Sequence, residues 1–195
     1  MTFRTEEKLF IDKDQIREFR QWMQINGAET LFPSREIESL YFDNTKSQMY
    51  RDSEEGCMPR KKIRIRNYPG QNIDYSNLEI KISAIEGRFK KSKKISNKDF
   101  KKMIVEGYID HQYGYCMPKL IINYSREYYK IFNDRITIDY NIQYRDEYEA
   151  LRSFQKENMI SVEIKSSFKR SKNELLNNFP FQRIRFSKYC RAYKS

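Results

Sequence analysis

Lys62, Arg64 and Arg66 alternate with Ile63 and Ile65. Period two is the spacing of a β-strand, so the three cations share one face and the isoleucines the other. β-Branched isoleucine suits that backbone. Like charges on one face repel unless something negative lies against them. Water and counter-ions are the ordinary answer, and a polyanion is the specific one. The arrangement recurs along the chain. Arg4, Lys8, Lys81, Lys91, Lys93, Arg126, Arg135 and Lys165 take strand-alternating positions, against the acids Glu6, Glu79, Asp139 and Glu163. A solvated face more usually mixes the two signs. Arginine grips phosphate oxygens with a planar fork, and lysine supplies a point charge. Carboxylates among such cations are donors for a hard divalent metal.

The totals narrow the partners. The chain has 195 residues, 38% hydrophobic and 15% aromatic, enough for a core in one domain. Its net charge of +11 favours an anionic partner. No apolar run approaches the roughly 20 residues of a membrane span, and the first residues lack the apolar segment of a secretory signal. Cys57, Cys116 and Cys190 are odd in number and far apart, which argues against a disulfide framework or a zinc site of paired cysteines. A reducing, cytoplasmic location is expected. His111 is the only histidine, so histidine-based catalysis or metal binding would rest on one residue.

The elements that must position these residues follow from periodicity. Strands are predicted over residues 3–11, 37–42, 61–67, 75–82, 87–95, 120–129, 135–140 and 159–166. Helices are predicted over 12–26, 45–52, 97–106, 147–156 and 171–178, with Asp12 or Asp14, and Ser96 or Asn97, as N-caps. Residues 107–118 read as a loop, and Phe186 to Tyr189 closes the chain. Trp22, Tyr41 and Tyr68 read as core. Eight strands can close into a barrel. With the charged face inward, the lumen is a cationic tunnel for a polyphosphate-like anion with a divalent metal, and the helices cover the apolar outside. The expected class is α+β, an eight-stranded antiparallel β-barrel with short helices packed outside.

In this order, Arg4-Thr-Glu6-Glu-Lys8, Ser39-Leu-Tyr-Phe-Asp43, Lys62-Ile-Arg64-Ile-Arg66-Asn-Tyr68, Leu78-Glu79-Ile-Lys81 with Lys91 and Lys93, Tyr124-Ser-Arg126, Arg135-Ile-Thr-Ile-Asp139, Val162-Glu163-Ile-Lys165 and Ser187-Lys188-Tyr189 resemble the VTC domain of polyphosphate polymerases. That domain is a branch of the CYTH, or triphosphate tunnel metalloenzyme, superfamily. The resemblance spans nearly the whole chain. Arg4 stands where the wider superfamily has a first glutamate, Leu9 where an aromatic is usual, and Arg185 where a lysine is common.

The resemblance implies a single tunnel domain over residues 1–195. It implies a metal-dependent polyphosphate polymerase that moves the γ-phosphate of ATP onto a growing polyphosphate chain. Lys8, Arg64, Arg66, Lys81, Arg126 and Lys165 would be catalytic. Lys62, Lys91, Lys93, Tyr124, Arg135, Arg185, Ser187 and Lys188 would bind substrate, with the register of Lys91 and Lys93 open across Lys90 to Lys94. Glu163, with Glu6, would hold Mn²⁺ or Mg²⁺. Glu6 and Glu79 have an alternative role in ion pairs that orient cations, and Asp139 is either an arginine orienter or a second metal ligand. No protein nucleophile is required, because another phosphate attacks, and positioning and charge stabilisation carry the step. The alternatives are a triphosphatase of the same superfamily and a non-catalytic polyphosphate-binding module. ATP and inorganic polyphosphate are the expected partners. Nucleic acid is not expected, and a membrane partner is left open.

Overall fold

The computed structural model describes residues 5–147, 153–166 and 181–194. Its strands are β1 (Thr5–Ile11), β2 (Glu29–Asp43), β3 (Arg60–Asn67), β4 (Tyr75–Ala84), β5 (Gly87–Ser96), β6 (Tyr108–Asp110), β7 (Gly114–Ile131), β8 (Asp134–Asp146), β9 (Gln155–Lys156) and β10 (Ile160–Ser166). Its helices are α1 (Gln15–Ile25), α2 (Gln48–Glu55), α3 (Asn97–Glu106) and α4 (Lys188–Lys194). The strand order is β1-β10-β8-β7-β2-β3-β4-β5, with β6 on β7 and β9 on β8.

That order has two ends, and β1 and β5 do not pair with each other. The closed eight-stranded barrel expected from the sequence is therefore corrected to an open order of ten strands among the described residues. Each of the two edges is protected within its own unit. The outer side of β1 is taken by the returning chain, where Leu9 bridges Arg183 and the Ile184 N–H donates to the Lys8 carbonyl at 3.0 Å. The outer side of β5 is a run of exposed charged side chains, which discourages further pairing.

The chain packs as two compact units. The first lies within Met1–Arg35, Tyr124–Ile142 and Lys156–Phe186. There β1 pairs antiparallel with β10 and β10 with β8, placing Lys8 opposite Glu163 and Glu163 opposite Thr137. One face collects Leu9, Ile11, Ile136, Ile138, Val162 and Ile164, all buried. Phe19 and Met23 of α1 cover it, with Trp22 packed alongside. Their spacing of four, with Trp22 between, is the apolar stripe of an amphipathic helix. Burying such a side chain is worth roughly 1.5–3 kcal/mol.

The second unit lies within Glu36–Asn123, Gln143–Gln155 and Ser187–Ser195. Here β2, β3, β4 and β5 run antiparallel, with Tyr41 opposite Arg64, Arg64 opposite Glu79, and Glu79 opposite Ser92. Leu40, Phe42, Ile63 and Ile65 are buried on the other face, and Ile80 is half-buried. α2 packs on β3, and α3 on β4 and β5. Ser96 caps α3 by accepting from the Asp99 N–H at 3.1 Å. α3 stops at Gly107, whose φ is +70°. A Cβ there would meet the Cys116 carbonyl at 2.6 Å and the Met117 sulfur at 2.8 Å. The turn into β6 thus requires glycine.

The elements differ from expectation in several places. Residues 107–118, read as a loop, contain β6 and the start of β7. The strand read at 37–42 begins at Glu29. Of the helix expected over 147–156, residues 148–152 lie outside the described residues, and Gln155–Lys156 is a strand on β8. The helix expected over 171–178 also lies outside the described residues. Lys188–Lys194 is a helix that periodicity did not reveal, being only 7 residues long.

Candidate functional site

In the second unit the strand register builds a cationic face. Arg64 and Arg66 are each 7% exposed, and Glu79 beneath them is 3% exposed. Arg64 donates to Glu79 Oε2 through Nε at 2.7 Å and Nη2 at 2.5 Å, and to the Tyr41 hydroxyl through Nη1 at 2.7 Å. Arg66 stands farther off, 3.7 Å from the same oxygen. Lys90 pairs with the other oxygen, Glu79 Oε1. Burial alone would push the Glu79 carboxyl up, but Arg64, Arg66 and Lys90 hold it well below the usual carboxylate range. Two arginines and a lysine over one carboxylate leave the cluster net positive.

One step along the same face, Lys62 lies opposite Lys81, and Lys81 opposite Lys90. Three lysines side by side across three strands is a costly register. Lys62 is steadied by the Ser187 hydroxyl at 2.8 Å and lies 5.5 Å over the Tyr189 ring. The segment carrying Ser187 is itself anchored. Buried Asp43 accepts from the N–H groups of Met49 and Tyr50 at the start of α2, both at 3.0 Å. It also accepts from the hydroxyls of Tyr189 at 2.6 Å and Tyr193 at 3.2 Å. The Tyr189 ring stacks on Tyr41 at 5.0 Å.

In the first unit a second group forms on the face opposite the apolar core. Arg126 holds Asp139 with two bonds, at 2.5 and 2.7 Å, and lies 5.3 Å over the Tyr124 ring. Burial works against the Arg126 charge, and Asp139 more than restores it, raising the group well above its ordinary value. Asp139, open at the sequence level between two roles, is thus seen orienting an arginine. Lys165 lies 2.5 Å from Glu163, and the Lys8 ammonium donates to the Phe186 carbonyl at 2.7 Å. Glu6 lies opposite Lys165, one diagonal from Glu163 on the same face. Arg135 shares that face through its own pairing with Lys165 and is exposed.

Glu163 and Glu6 are the donors expected to hold a divalent metal. Glu163 is 7% exposed and Glu6 half-buried, both on one face of neighbouring strands. Among the described residues no group of three or more His, Cys, Asp or Glu side chains could enclose an ion. Two carboxylates with open positions left for phosphate oxygens is the donor set of a magnesium-type site, not of an all-protein cage. The residues fit such a metal.

Most sequence-predicted positions fall on these two faces. Lys62, Arg64, Arg66 and Lys81 share one, and Lys8, Arg126, Arg135, Glu163 and Lys165 share the other. Tyr124 is buried beside Arg126, Ser187 is bound to Lys62, Lys188 is half-buried and Arg185 exposed. Lys91 and Lys93 are corrected. The register sets them opposite Ile80 and Leu78, on the apolar-side face of the sheet, and both are exposed. The lysines that turn toward Arg64 and Arg66 are Lys90 and Lys94, the latter 4.2 Å over the Tyr75 ring. The missed signal is the turn at Ile85 and Glu86, since pairing Ala84 with Gly87 forces Lys81 opposite Lys90. The hydrogen bonds that Asp43 accepts from Tyr189 and Tyr193 leave no trace in local sequence.

A family model described as VTC domain matches residues 3–114 and again residues 83–195. Among solved structures, the chain is similar to a Bacillus halodurans protein described as a candidate adenylate cyclase. The TM-score is 0.68 at 12% identity, covering 100% of both chains. A similarly described protein from Vibrio parahaemolyticus gives a TM-score of 0.59 at 13% identity, covering 100% of this chain and 99% of the other. A chain of the Schizosaccharomyces pombe Mediator head module gives 0.51 at 8% identity, covering 88% and 86%. At such identities the likeness is one of fold. No curated protein sequence gives a significant match.

Proposed function

The chain belongs to the VTC-domain family, within the CYTH or triphosphate tunnel superfamily, and from that premise we propose that it is a polyphosphate polymerase using ATP. The observation that carries the reading is the row of Lys62, Lys81 and Lys90 across three strands, with Arg64 and Arg66 one step along. A fold gains nothing from aligning like charges, whereas a chain of phosphates is stabilised by them.

Arg64 and Arg66 grip oxygens of the transferring phosphate, and Glu79 fixes the plane of the Arg64 guanidinium so that its orientation is set before substrate arrives. Lys62 and Lys81 neutralise neighbouring phosphates, with Ser187 holding Lys62 in place. Arg126, kept rigid by Asp139, and Lys8, Lys165 and Arg135 bind phosphate oxygens in the same way, and Tyr124, Arg185 and Lys188 contribute to substrate binding. An oxygen of the acceptor chain's terminal phosphate attacks the γ-phosphorus of ATP, and the bond to the β-phosphate oxygen breaks to release ADP. The negative charge that builds on the transferring phosphoryl oxygens and on the departing β-phosphate oxygen is met by fixed cations that need no rearrangement. When bound, Mn²⁺ or Mg²⁺ held by Glu163 with Glu6 supplies charge neutralisation on phosphate oxygens.

The test is incubation of the pure protein with ATP and Mn²⁺ or Mg²⁺, followed by gel analysis of phosphate chains and measurement of ADP. Long chains with stoichiometric ADP are expected. Free phosphate alone would make the protein a triphosphatase, and tight triphosphate binding without turnover would make it a binding module.

A further inference from the structure

Residues 87–106, β5 and α3, carry eight lysines and arginines against only Asp99 and Glu106, more than half of the chain's net charge of +11. The strand divides its share between two faces. Lys90 and Lys94 turn toward Arg64 and Arg66, while Lys91 and Lys93 turn to the opposite face and are exposed. On α3, Lys98, Lys101 and Lys102 recur at three and four residues, forming one exposed stripe. Phe100, Met103 and Ile104 form the other, half-buried stripe of this helix, which packs on β4 and β5. Asp99 joins the two elements, since it feels both Lys93 and Lys102. A charged edge strand guards a sheet against pairing with another. That role accounts for charge on β5, but not for the excess of lysine over acid or for its continuation along the exposed side of a helix, where Lys102 also lies 3.6 Å from Glu106.

We infer that Lys91, Lys93, Lys98, Lys101 and Lys102 form a second anion-binding surface, outside the candidate site, for a linear chain of phosphates. The inference rests on reading that site as one for phosphate chains. The chemistry favours inorganic phosphate over a nucleic acid strand. All five cations are lysines, which read point charge, and Phe89 is the one exposed aromatic on the strand. Single-stranded nucleic acid is held by successive stacking aromatics. A long chain threaded through the candidate site would gain from such a surface, and a triphosphate would be too short to use both.

The test compares binding of long-chain polyphosphate and of tripolyphosphate to the full chain over a range of salt. Replacing Lys98, Lys101 and Lys102 together by Gln is expected to weaken long-chain binding by about tenfold. The salt dependence should become shallower by about 0.7 in log–log slope per lost phosphate contact, the value for single strands. Tripolyphosphate affinity should not change. Adding Lys91→Gln and Lys93→Gln should deepen the long-chain loss, and replacing the same helix lysines by Arg should restore binding. Unchanged long-chain affinity overturns the inference, as does an equal loss for tripolyphosphate. A loss confined to single-stranded DNA, with polyphosphate unaffected, overturns it in favour of a nucleic-acid surface. If wild type binds long chains through these lysines but neither binds tripolyphosphate nor makes chains, the proposed function fails while this surface stands.

Discussion

Glu79 concentrates the chemistry of the second unit in one carboxylate. Because Arg64, Arg66 and Lys90 hold its pKa below the ordinary value of 4.5, it stays ionised in the folded chain where the unfolded chain would take up a proton. Its stabilisation is therefore fully present above about pH 4.5 and is lost as pH falls toward the folded value. Thermal melting followed from pH 6 downward should show a shallower acid decline for Glu79→Gln than for wild type. The two arginines should separate. Arg64→Ala removes a close ion pair from a buried carboxylate and should lower stability by about 3 kcal/mol or less, since two cations remain. Arg66 is looser, so Arg66→Ala should melt nearer to wild type and yet gain a smaller thermal shift from tripolyphosphate. Arg66→Lys should not restore that shift, because lysine cannot make a planar two-point contact. In the first unit, Glu163→Gln should cut ADP release by orders of magnitude while leaving tripolyphosphate binding largely intact. Normal turnover at limiting Mn²⁺ would remove Glu163 from the metal site.

At the scale of elements, Gly107 is the tightest joint. Gly107→Ala forces a Cβ against the Cys116 carbonyl in a backbone region that suits glycine, and a loss of about 1–3 kcal/mol in chemical denaturation is expected. Much of the element order was legible because it rests on local period. Alternation from Lys62 to Arg66 gave β3 its two faces, and Ser96 with Phe100, Met103 and Ile104 gave α3 both its start and its half-buried side. What was not legible depends on partners far away. Alternation alone cannot tell Lys91 from Lys90 in a run of lysines, because a one-residue slip exchanges the faces. Sheet closure was inferred from a count of strands, but the outer side of β1 is occupied by Arg183 and Ile184, which no periodicity in either segment announces. Tyr189 likewise reads in sequence only as part of the segment that closes the chain, and its bond to Asp43 spans 146 residues.

At the scale of the molecule, residues 87–106 alone carry more than half of the net charge of +11. If the fixed cations bind phosphate and the metal serves the transfer step, chelation should abolish ADP release while a tripolyphosphate-induced melting shift persists. Loss of both together would place the metal in binding as well. No helix among the described residues is long and apolar enough to cross a membrane. The pairing of β1 carries a consequence for how the chain is made. Among the described residues its one sheet neighbour is β10, its other side meets Arg183, and its Lys8 is tied to Phe186 across 178 positions. A ribosome releases Leu9 and Ile11 long before any of these partners, so β1 must wait as an unpaired apolar strand for nearly the whole of synthesis. The second unit's β2 to β5 hairpins close over short separations and can form early. The first unit can be completed only after Phe186 emerges, and until then the apolar side of its first strand stays uncovered by those partners.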